Sequence, residues 1–331
     1  MRPFFPRAIA ALLCVFSFAF VSCKSSTSPN NDGGQGWSGT LIYDIPSADG
    51  EIGIYDFANR RETVAFSSGR GPSWSPSGLI LYEEPSDVSP RVNWKIATRA
   101  RNGTAENILL DSKAFSLSVS KSPKMSRDGK TICFNYWYDN VGGPDLYTAS
   151  GSILMQSDGT LIGGLDSVFD GSWMPDGSIV FSATVDELDG ERTFYQDGLY
   201  RLSSDFSQFT AVGSGLVKPK HPACSPDGKR IAFAMNGHIW MINADGSGLR
   251  QVTTGSKEES HPCWSPDGKF LACMSFGTFE VSYYTAIAVV PTDIYSPIDM
   301  TNESPYWIRD AQYSSQSSEG RRSAYTSISW K

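Results

Sequence analysis

Five copies of one four-residue turn punctuate the chain: Ser75-Pro76-Ser77-Gly78, Ser126-Arg127-Asp128-Gly129, Met174-Pro175-Asp176-Gly177, Ser225-Pro226-Asp227-Gly228 and Ser265-Pro266-Asp267-Gly268. An eroded sixth copy is Ser317-Ser318-Glu319-Gly320. Measured at the second residue the copies stand 51, 48, 51, 40 and 52 apart. A period in that range marks a solenoid or a propeller.

Each copy carries the same local chemistry. An apolar or aromatic residue stands two before the Pro position of each turn (Trp74, Met125, Trp173, Cys224, Trp264), placed to end a short buried strand. Pro fixes φ, Asp bonds its own backbone and Gly takes a positive φ, so Pro-Asp-Gly predicts a tight hairpin. A β-type run follows, such as Ile179-Val180-Phe181 or Arg230-Ile231-Ala232-Phe233. Most repeats then show a second hairpin; in the fourth it is Ile239 to Ile242, the turn Asn243 to Gly248, and Leu249 to Thr253. Two hairpins per repeat make four strands, which is one propeller blade. The expected fold is all-β: a six-bladed propeller of four-stranded antiparallel blades. The runs Thr40 to Tyr43, Ile52 to Phe57 and Glu62 to Phe66 precede the first turn. They are expected to complete the last blade together with C-terminal sequence, so that no edge is left open. Thr40–Tyr43 and Arg322–Ser329 then compete for that blade's second position.

The stretch His221 to Phe233, continued by Asn243 to Thr253 and repeated over His261 to Cys273, closely resembles the WD40-like "PD40" repeat of TolB-type propellers. The resemblance covers residues 37–331 and weakens where Arg127, Met174 and Ser318 replace consensus residues. It implies a six-bladed propeller of the cell envelope. It does not imply an activity, because related propellers include binding scaffolds, peptidase domains and a few lyases.

The N-terminus supplies an address. Arg2 and Arg7 precede an apolar segment of 13 residues, Ala8 to Phe20, followed by Val21-Ser22-Cys23. Thirteen residues are too few to span a bilayer, so residues 1–22 read as a signal peptide. Cys23 after small residues resembles a lipobox, with Phe20 in place of the usual Leu, and makes Cys23 the expected lipid attachment site; ordinary secretion with cleavage nearby is the alternative. Residues 23–36, rich in Ser, Pro, Asn and Gly, read as a flexible tether. Residues 37–331 form one domain, since a propeller closes only with all its blades. The expected localisation is the bacterial cell envelope, lipid-anchored to a membrane. Loss of Arg2 and Arg7 leaves 26 Lys+Arg against 35 Asp+Glu, a net charge of −9. That balance, without basic clusters, argues against nucleic acid. A monomer is expected, and no cofactor.

Four cysteines remain in the body: Cys133, Cys224, Cys263 and Cys273. Their spacing fits no zinc motif, and they stand where other repeats carry strand residues, so core thiols are favoured. A Cys224–Cys263 disulfide stays open.

The tight turns must share one face, which leaves the other to the B–C and D–A loops (strands A to D counted outward). The B–C segments from Glu83 to Asn93, Asp139 to Asp145, Val185 to Asp197 and Phe276 to Tyr284 are long, acidic and aromatic. Long loops on a rigid scaffold are where binding resides. The candidate binding residues are Trp137, Tyr138, Tyr195, Tyr283, Asp186 and Glu187. In the D–A loops, aligned ahead of each innermost strand, stand Gly71, Ser122, Asp170, His221, His261 and Asp310. Two His and two Asp converging on an axis would suit a divalent cation or acid–base work. His221, His261, Asp170 and Asp310 are therefore the alternative metal set. The favoured reading makes them turn residues with the two rings lying apart. No Gly-x-Ser-x-Gly elbow, His-Glu-x-x-His motif or phosphate loop occurs. Two functions follow: a non-enzymatic scaffold binding a protein, peptide or glycan, or a carbohydrate-active lyase with a metal at the channel mouth.

Overall fold

A computed structural model describes residues 36–45, 50–85, 94–111, 119–139, 148–183, 196–279, 282–301, 307–311 and 327–331. Its elements are all strands. The chain opens with β1 (Thr40–Ile45), β2 (Glu51–Asp56) and β3 (Arg61–Phe66). Blade one follows as β4 (Arg70–Trp74), β5 (Ile80–Pro85), β6 (Trp94–Arg99) and β7 (Asn107–Asp111). Blade two is β8 (Val119–Met125), β9 (Thr131–Asp139), β10 (Thr148–Gln156) and β11 (Leu161–Asp166). Blade three is β12 (Val168–Trp173), β13 (Ile179–Ala183), β14 (Gly198–Leu202) and β15 (Phe209–Val212). Blade four is β16 (Lys220–Cys224), β17 (Arg230–Met235), β18 (His238–Asn243) and the two-residue β19 (Arg250–Gln251). After β20 (Thr253–Thr254), blade five runs β21 (Glu258–Trp264), β22 (Phe270–Phe279) and β23 (Ser282–Pro291). It ends, past β24 (Ile298–Asp299), in β25 (Trp307–Ala311). β20 and β24 pair in parallel and join blades four and five.

The last strand, β26 (Ile328–Trp330), pairs with β1, and the closing sheet runs β26-β1-β2-β3. The expected closure by both ends of the chain is therefore present. The competition for the second position resolves because C-terminal sequence takes the innermost place and β1 the second. This blade has no Pro-Asp-Gly turn: β26 ends beside the start of β1, and the eroded copy at 317–320 falls before β26 and outside the described residues. Neighbouring innermost strands touch all the way round, from β4 through β8, β12, β16, β21 and β26 back to β4.

Packing follows from two-sided burial. Second strands read as unbroken apolar runs because each face lies against a different neighbour. Ile132 and Phe134 pack toward blade one, while Cys133 between them packs toward blade three. Six separate hydrophobic clusters result, one per blade interface. Tyr43, Tyr82, Phe134, Phe181 and Phe233 are their largest fully buried side chains. All four described cysteines are free. Cys133 and Cys273 are buried among these clusters, and burial pushes the Cys133 and Cys224 thiols up to about 12.

The tight turns explain their own sequence. The Ser hydroxyl is buried; in blade four it donates to Asp227 at 2.6 Å and accepts the Arg230 amide at 2.9 Å. The Gly that closes each turn has a φ between +70° and +85°. Tryptophan before the turn reaches back one blade: Trp264 Nε1 donates to the Ala223 carbonyl at 2.8 Å, and Trp173 Nε1 to that of Lys124 at 3.0 Å. Arg127 holds the place that Pro occupies in the other turns. It uses its length to donate across blade three to the carbonyl of Pro226 at 2.9 Å.

Three of the segments expected as long loops are partly strand: Glu83 to Pro85 belong to β5, Asp139 to β9, and Phe276 to Phe279 with Ser282 to Tyr284 to β22 and β23. Ala183, where β13 ends, aligns with Tyr136 and Ser275, yet β9 continues three residues to Asp139 and β22 four residues to Phe279. At ~3.3 Å per residue these hairpins rise about 10–13 Å beyond the short blades. Blades two and five lie opposite each other in the ring, so the extensions flank the channel.

Candidate functional site at the channel mouth

Every innermost strand from β4 to β21 is interrupted by a bulge at one place, between Arg70 and Ser73, Lys121 and Lys124, Phe169 and Ser172, Lys220 and Ala223, and Ser260 and Cys263. The residue that opens each bulge has left-handed backbone: Gly71 (φ 58°), Ser122 (53°), Asp170 (58°), His221 (53°) and His261 (51°). These are the five positions aligned from sequence. A bulge re-aims the side chain it carries, and here it does so at the end of the channel that faces the extended hairpins.

The bulges are held by the neighbouring blade. Asp44, at the fourth position of its apolar run, accepts the Gly71 amide at 2.7 Å. Asn135, at the equivalent position in β9, accepts the Asp170 amide at 2.9 Å and donates to the Asp170 carboxylate at 2.8 Å. A Cβ on Gly71 would sit 2.7 Å from Glu83 Oε1, so a buried carboxylate fills the space that glycine leaves. Gly171 answers to the same crowding, because a Cβ there would meet Cys133 Sγ at 2.7 Å and Phe181 at 2.8 Å. Blades three, four and five carry Ser182, Ala234 and Met274 at the anchoring position instead. Asp170 takes over for one of them by accepting the His221 amide.

His221 and His261 stack, with ring centroids 3.6 Å apart and planes inclined by 21°. The expectation that the rings lie apart is corrected: successive bulges deliver them to one place. His221 Nε2 faces Asp170 Oδ2 at 3.7 Å, and its Nδ1 is buried without a hydrogen-bond partner. His261 Nδ1 lies 2.7 Å from the Ser260 hydroxyl. Burial pushes the His221 pKa down; Lys124 and Lys220 add to this, and Asp170 opposes it. His261 falls well below its ordinary 6.5 through burial and the positive charges of His221 and Lys124. Burial would raise Asp170, but the charges of His221 and Lys124 and its hydrogen bonds outweigh that and hold it below the usual carboxylate range.

Asp310 does not join them. It lies in β25, the outermost strand of blade five, paired with Ala286. The register of β26 against β1 places Ser327 at the sixth bulge position, where its hydroxyl donates to the Pro72 carbonyl at 2.8 Å. Among the described residues no group of three His, Cys, Asp or Glu is arranged to hold a metal ion. The parts of a hydrolytic triad are split, since Ser260 contacts one ring and Asp170 the other, whereas a triad needs both on a single imidazole. His238 sits apart at the start of β18, with Nδ1 3.0 Å from the buried Glu259, which also accepts from Thr253 at 2.8 Å; it ties blade four to blade five.

Among the candidate binding residues, Trp137 and Tyr138 lie in the extension of β9, backbone-paired with Ser150 and Ala149, and Tyr283 lies in that of β23, paired with Thr278. Tyr195, Asp186, Glu187 and Cys23 fall outside the described residues. Sequence reading missed Asp44 and Asn135, and it took Glu83 for a loop residue. Their signal was a carboxylate or amide closing an apolar run, as in Leu41-Ile42-Tyr43-Asp44 and Ile132-Cys133-Phe134-Asn135. It also missed Lys124, the one long charged residue among otherwise small equivalents.

The architecture is a six-bladed β-propeller, and TolB proteins are among the solved structures that share this fold. The chain is similar to a putative TolB from Agrobacterium tumefaciens, with a TM-score of 0.57 and 18% identity over 76% of this chain and 86% of that one. It is also similar to TolB from Acinetobacter baumannii, with a TM-score of 0.56 and 15% identity over 88% of this chain and 66% of that one. The hydrazine synthase of Kuenenia stuttgartiensis shares the fold as well, with a TM-score of 0.58 and 12% identity over 83% of this chain and 46% of that one. No family model and no curated protein matches the chain. At these identities the likeness concerns the fold, which both TolB proteins and an enzyme use.

Proposed function

We propose that the protein is a lipid-anchored propeller of the bacterial cell envelope that acts as a non-enzymatic scaffold. Its ligand is a protein, peptide or glycan, taken on the face that carries the channel mouth. The observation behind this reading is the pair of hairpins on opposite blades whose strands run on to Asp139 and Phe279 and flank the channel mouth. Three of the four candidate aromatic residues lie in those extensions. The fold shared with two TolB proteins and the net charge of −9 after signal removal agree with an exported, non-nucleic-acid-binding body. Anchoring is assigned to Cys23 and the tether, and the body acts as a monomer without a cofactor.

A peptide and glycan binding screen on the full-length chain in detergent identifies the ligand. Alanine at Trp137, Tyr138, Tyr195 and Tyr283 then weakens binding by roughly tenfold or more each where the residue is a hot spot. A His221→Ala, His261→Ala double variant retains most of the affinity. The opposite pattern, with binding or turnover lost in the histidine variant and kept in the aromatic ones, rejects the scaffold. For the anchor, Cys23→Ser moves the body out of the membrane fraction, and unchanged partitioning into detergent rejects lipidation.

A further inference from the structure

Two residues beyond the bulge residue, the six innermost strands that line the axis align Ser73, Lys124, Ser172, Ala223, Cys263 and, by the register of β26, Ser329. Six strands converge there, and five of the six residues are small. Lys124 alone is long. It stands on β8, next to the strand β12 that carries Asp170, and its charge acts on Cys133, Asp170, His221, Cys224, His261 and Cys263, which come from four different blades. It has no hydrogen bond and no ion pair among the described residues, and it is not sealed from solvent. Beside it stand the stacked rings, with His221 Nδ1 buried and unpartnered.

We propose that the channel mouth is an anion site that seats one carboxylate, with the Lys124 ammonium as counter-ion and imidazole N–H groups of His221 and His261 as donors. An ammonium that forms no ion pair among the described residues, in the field of a buried, unpartnered ring nitrogen, is a donor set in want of an acceptor, and charge-assisted hydrogen bonds are the strong ones. The other charged groups around it limit the choice of anion. Lys220 adds positive potential, whereas Asp170 faces the same ring and repels a second negative charge. Asp44 and Glu83 belong to blades six and one and are turned to the bulges there. Because Asp170 offsets part of the positive charge of Lys124, the site matches a carboxylate better than a phosphate dianion. The protonation of His221 is linked to the site. With one N–H directed at Asp170, a second N–H toward the ligand requires the imidazolium, so binding takes up a proton and strengthens as pH falls through the imidazole range.

This inference stands apart from the scaffold reading and is tested without its ligand. Histidine-ring resonances of the full-length chain are followed by NMR during titration with acetate, with triglycine, with triglycine amide and with inorganic phosphate. Acetate and triglycine are expected to shift both channel rings, more strongly at about pH 6 than at about pH 8, and triglycine amide to shift neither. Shifts with triglycine but not acetate keep the site and narrow its source to a peptide C-terminus. Lys124→Gln weakens carboxylate binding by roughly tenfold or more, the loss of one charge-assisted bond. Lys124→Arg and the exposed turn-end control Lys229→Gln retain it within about threefold. Rings that ignore both carboxylates, equal shifts with the amide, phosphate outcompeting carboxylate, or a Lys124→Gln protein that binds normally would each overturn the proposal. The acid–amide contrast needs no variant, so it decides even if Lys124→Gln fails to fold.

Discussion

Blades one to five each place left-handed backbone at two points, and the two are filled differently. At the tight turn the residue is glycine in all five copies, with φ between +70° and +85°. At the channel mouth, with φ between +51° and +58°, it is glycine only in blade one and otherwise Ser122, Asp170, His221 or His261. Left-handed backbone costs a side-chain-bearing residue roughly 1–2 kcal/mol that glycine avoids. The turn end thus keeps the residue that the backbone favours, and the mouth end keeps polar groups at a standing cost. Conformational cost held at successive positions around one opening is what a functional site leaves in a scaffold. The same contrast appears in the bonds between blades. Turn-end links run through carbonyls and repeat with small changes, such as Arg230 to Gly268 at 2.9 Å and Lys331 to Pro76 at 3.2 Å. Mouth-end links are private to each interface.

The turn end also holds the ring closed, and breaking it there has the largest expected effect. Removing residues 327–331 deletes β26, strips Trp330 and Ile328 from the cluster shared with blade five, and exposes the edge of β1. The expected result is loss of single-transition unfolding, read by calorimetry and intrinsic fluorescence. One sharp transition in the truncated chain would show that five blades and an open sheet suffice.

Next in size is a single methyl at the turn. Gly228→Ala places a Cβ at φ +70° and 2.9 Å from Pro175 Cδ of blade three. Denaturant unfolding is expected to show a loss of about 1–3 kcal/mol. The reverse exchange at the mouth, His261→Gly, relieves backbone strain while deleting a stacked ring, and the two contributions offset to within about 1 kcal/mol. Equal losses for both variants would remove the distinction between the two ends.

The same asymmetry sets what could be read from the sequence. Blade number and the alignment of Gly71, Ser122, Asp170, His221 and His261 were legible because one hydrogen-bonding solution recurs, and recurrence makes Ser, Asp and Gly visible in register; that these residues are bulges inside the innermost strands, and not loop residues ahead of them, was not. The sixth bulge position was misread as Asp310 because the closing blade has no turn to count from, and only the pairing of Ile328 with Tyr43 shows that Ser327 belongs there. The stacking of His221 on His261 was not legible either. Residues 40 apart in sequence meet because successive blades bring successive bulges to the axis, which residue spacing alone does not reveal. Lys124 escaped notice because a lysine beside Pro123 reads as loop polarity until five small equivalents are aligned with it.

The smallest predicted effect concerns acid, and it separates the two ends by protonation. Both channel imidazoles have pKa values below 6.5 in the folded protein, chiefly through burial. The unfolded chain therefore binds more protons than the folded one between the folded pKa and 6.5, and the sign of the linkage follows: stability falls as pH drops below about 6.5 and is regained as pH rises to it. Each ring adds a slope of at most about 1.4 kcal/mol per pH unit in that window. The turn-end carboxylates act in a lower range. Asp227 is held below 3.8 by the Ser225 hydroxyl and the Lys229 amide, so its contribution is intact above that value and is lost only as pH falls through its lowered pKa. Between about pH 5 and pH 6.5 the melting temperature should accordingly climb, and a His221→Asn, His261→Asn double variant should flatten that climb while leaving the loss below about pH 4 unchanged. A wild-type protein with constant melting temperature across the first window, or a double variant with an undiminished slope, would mean that the rings titrate as free histidines and that the mouth does not hold them neutral.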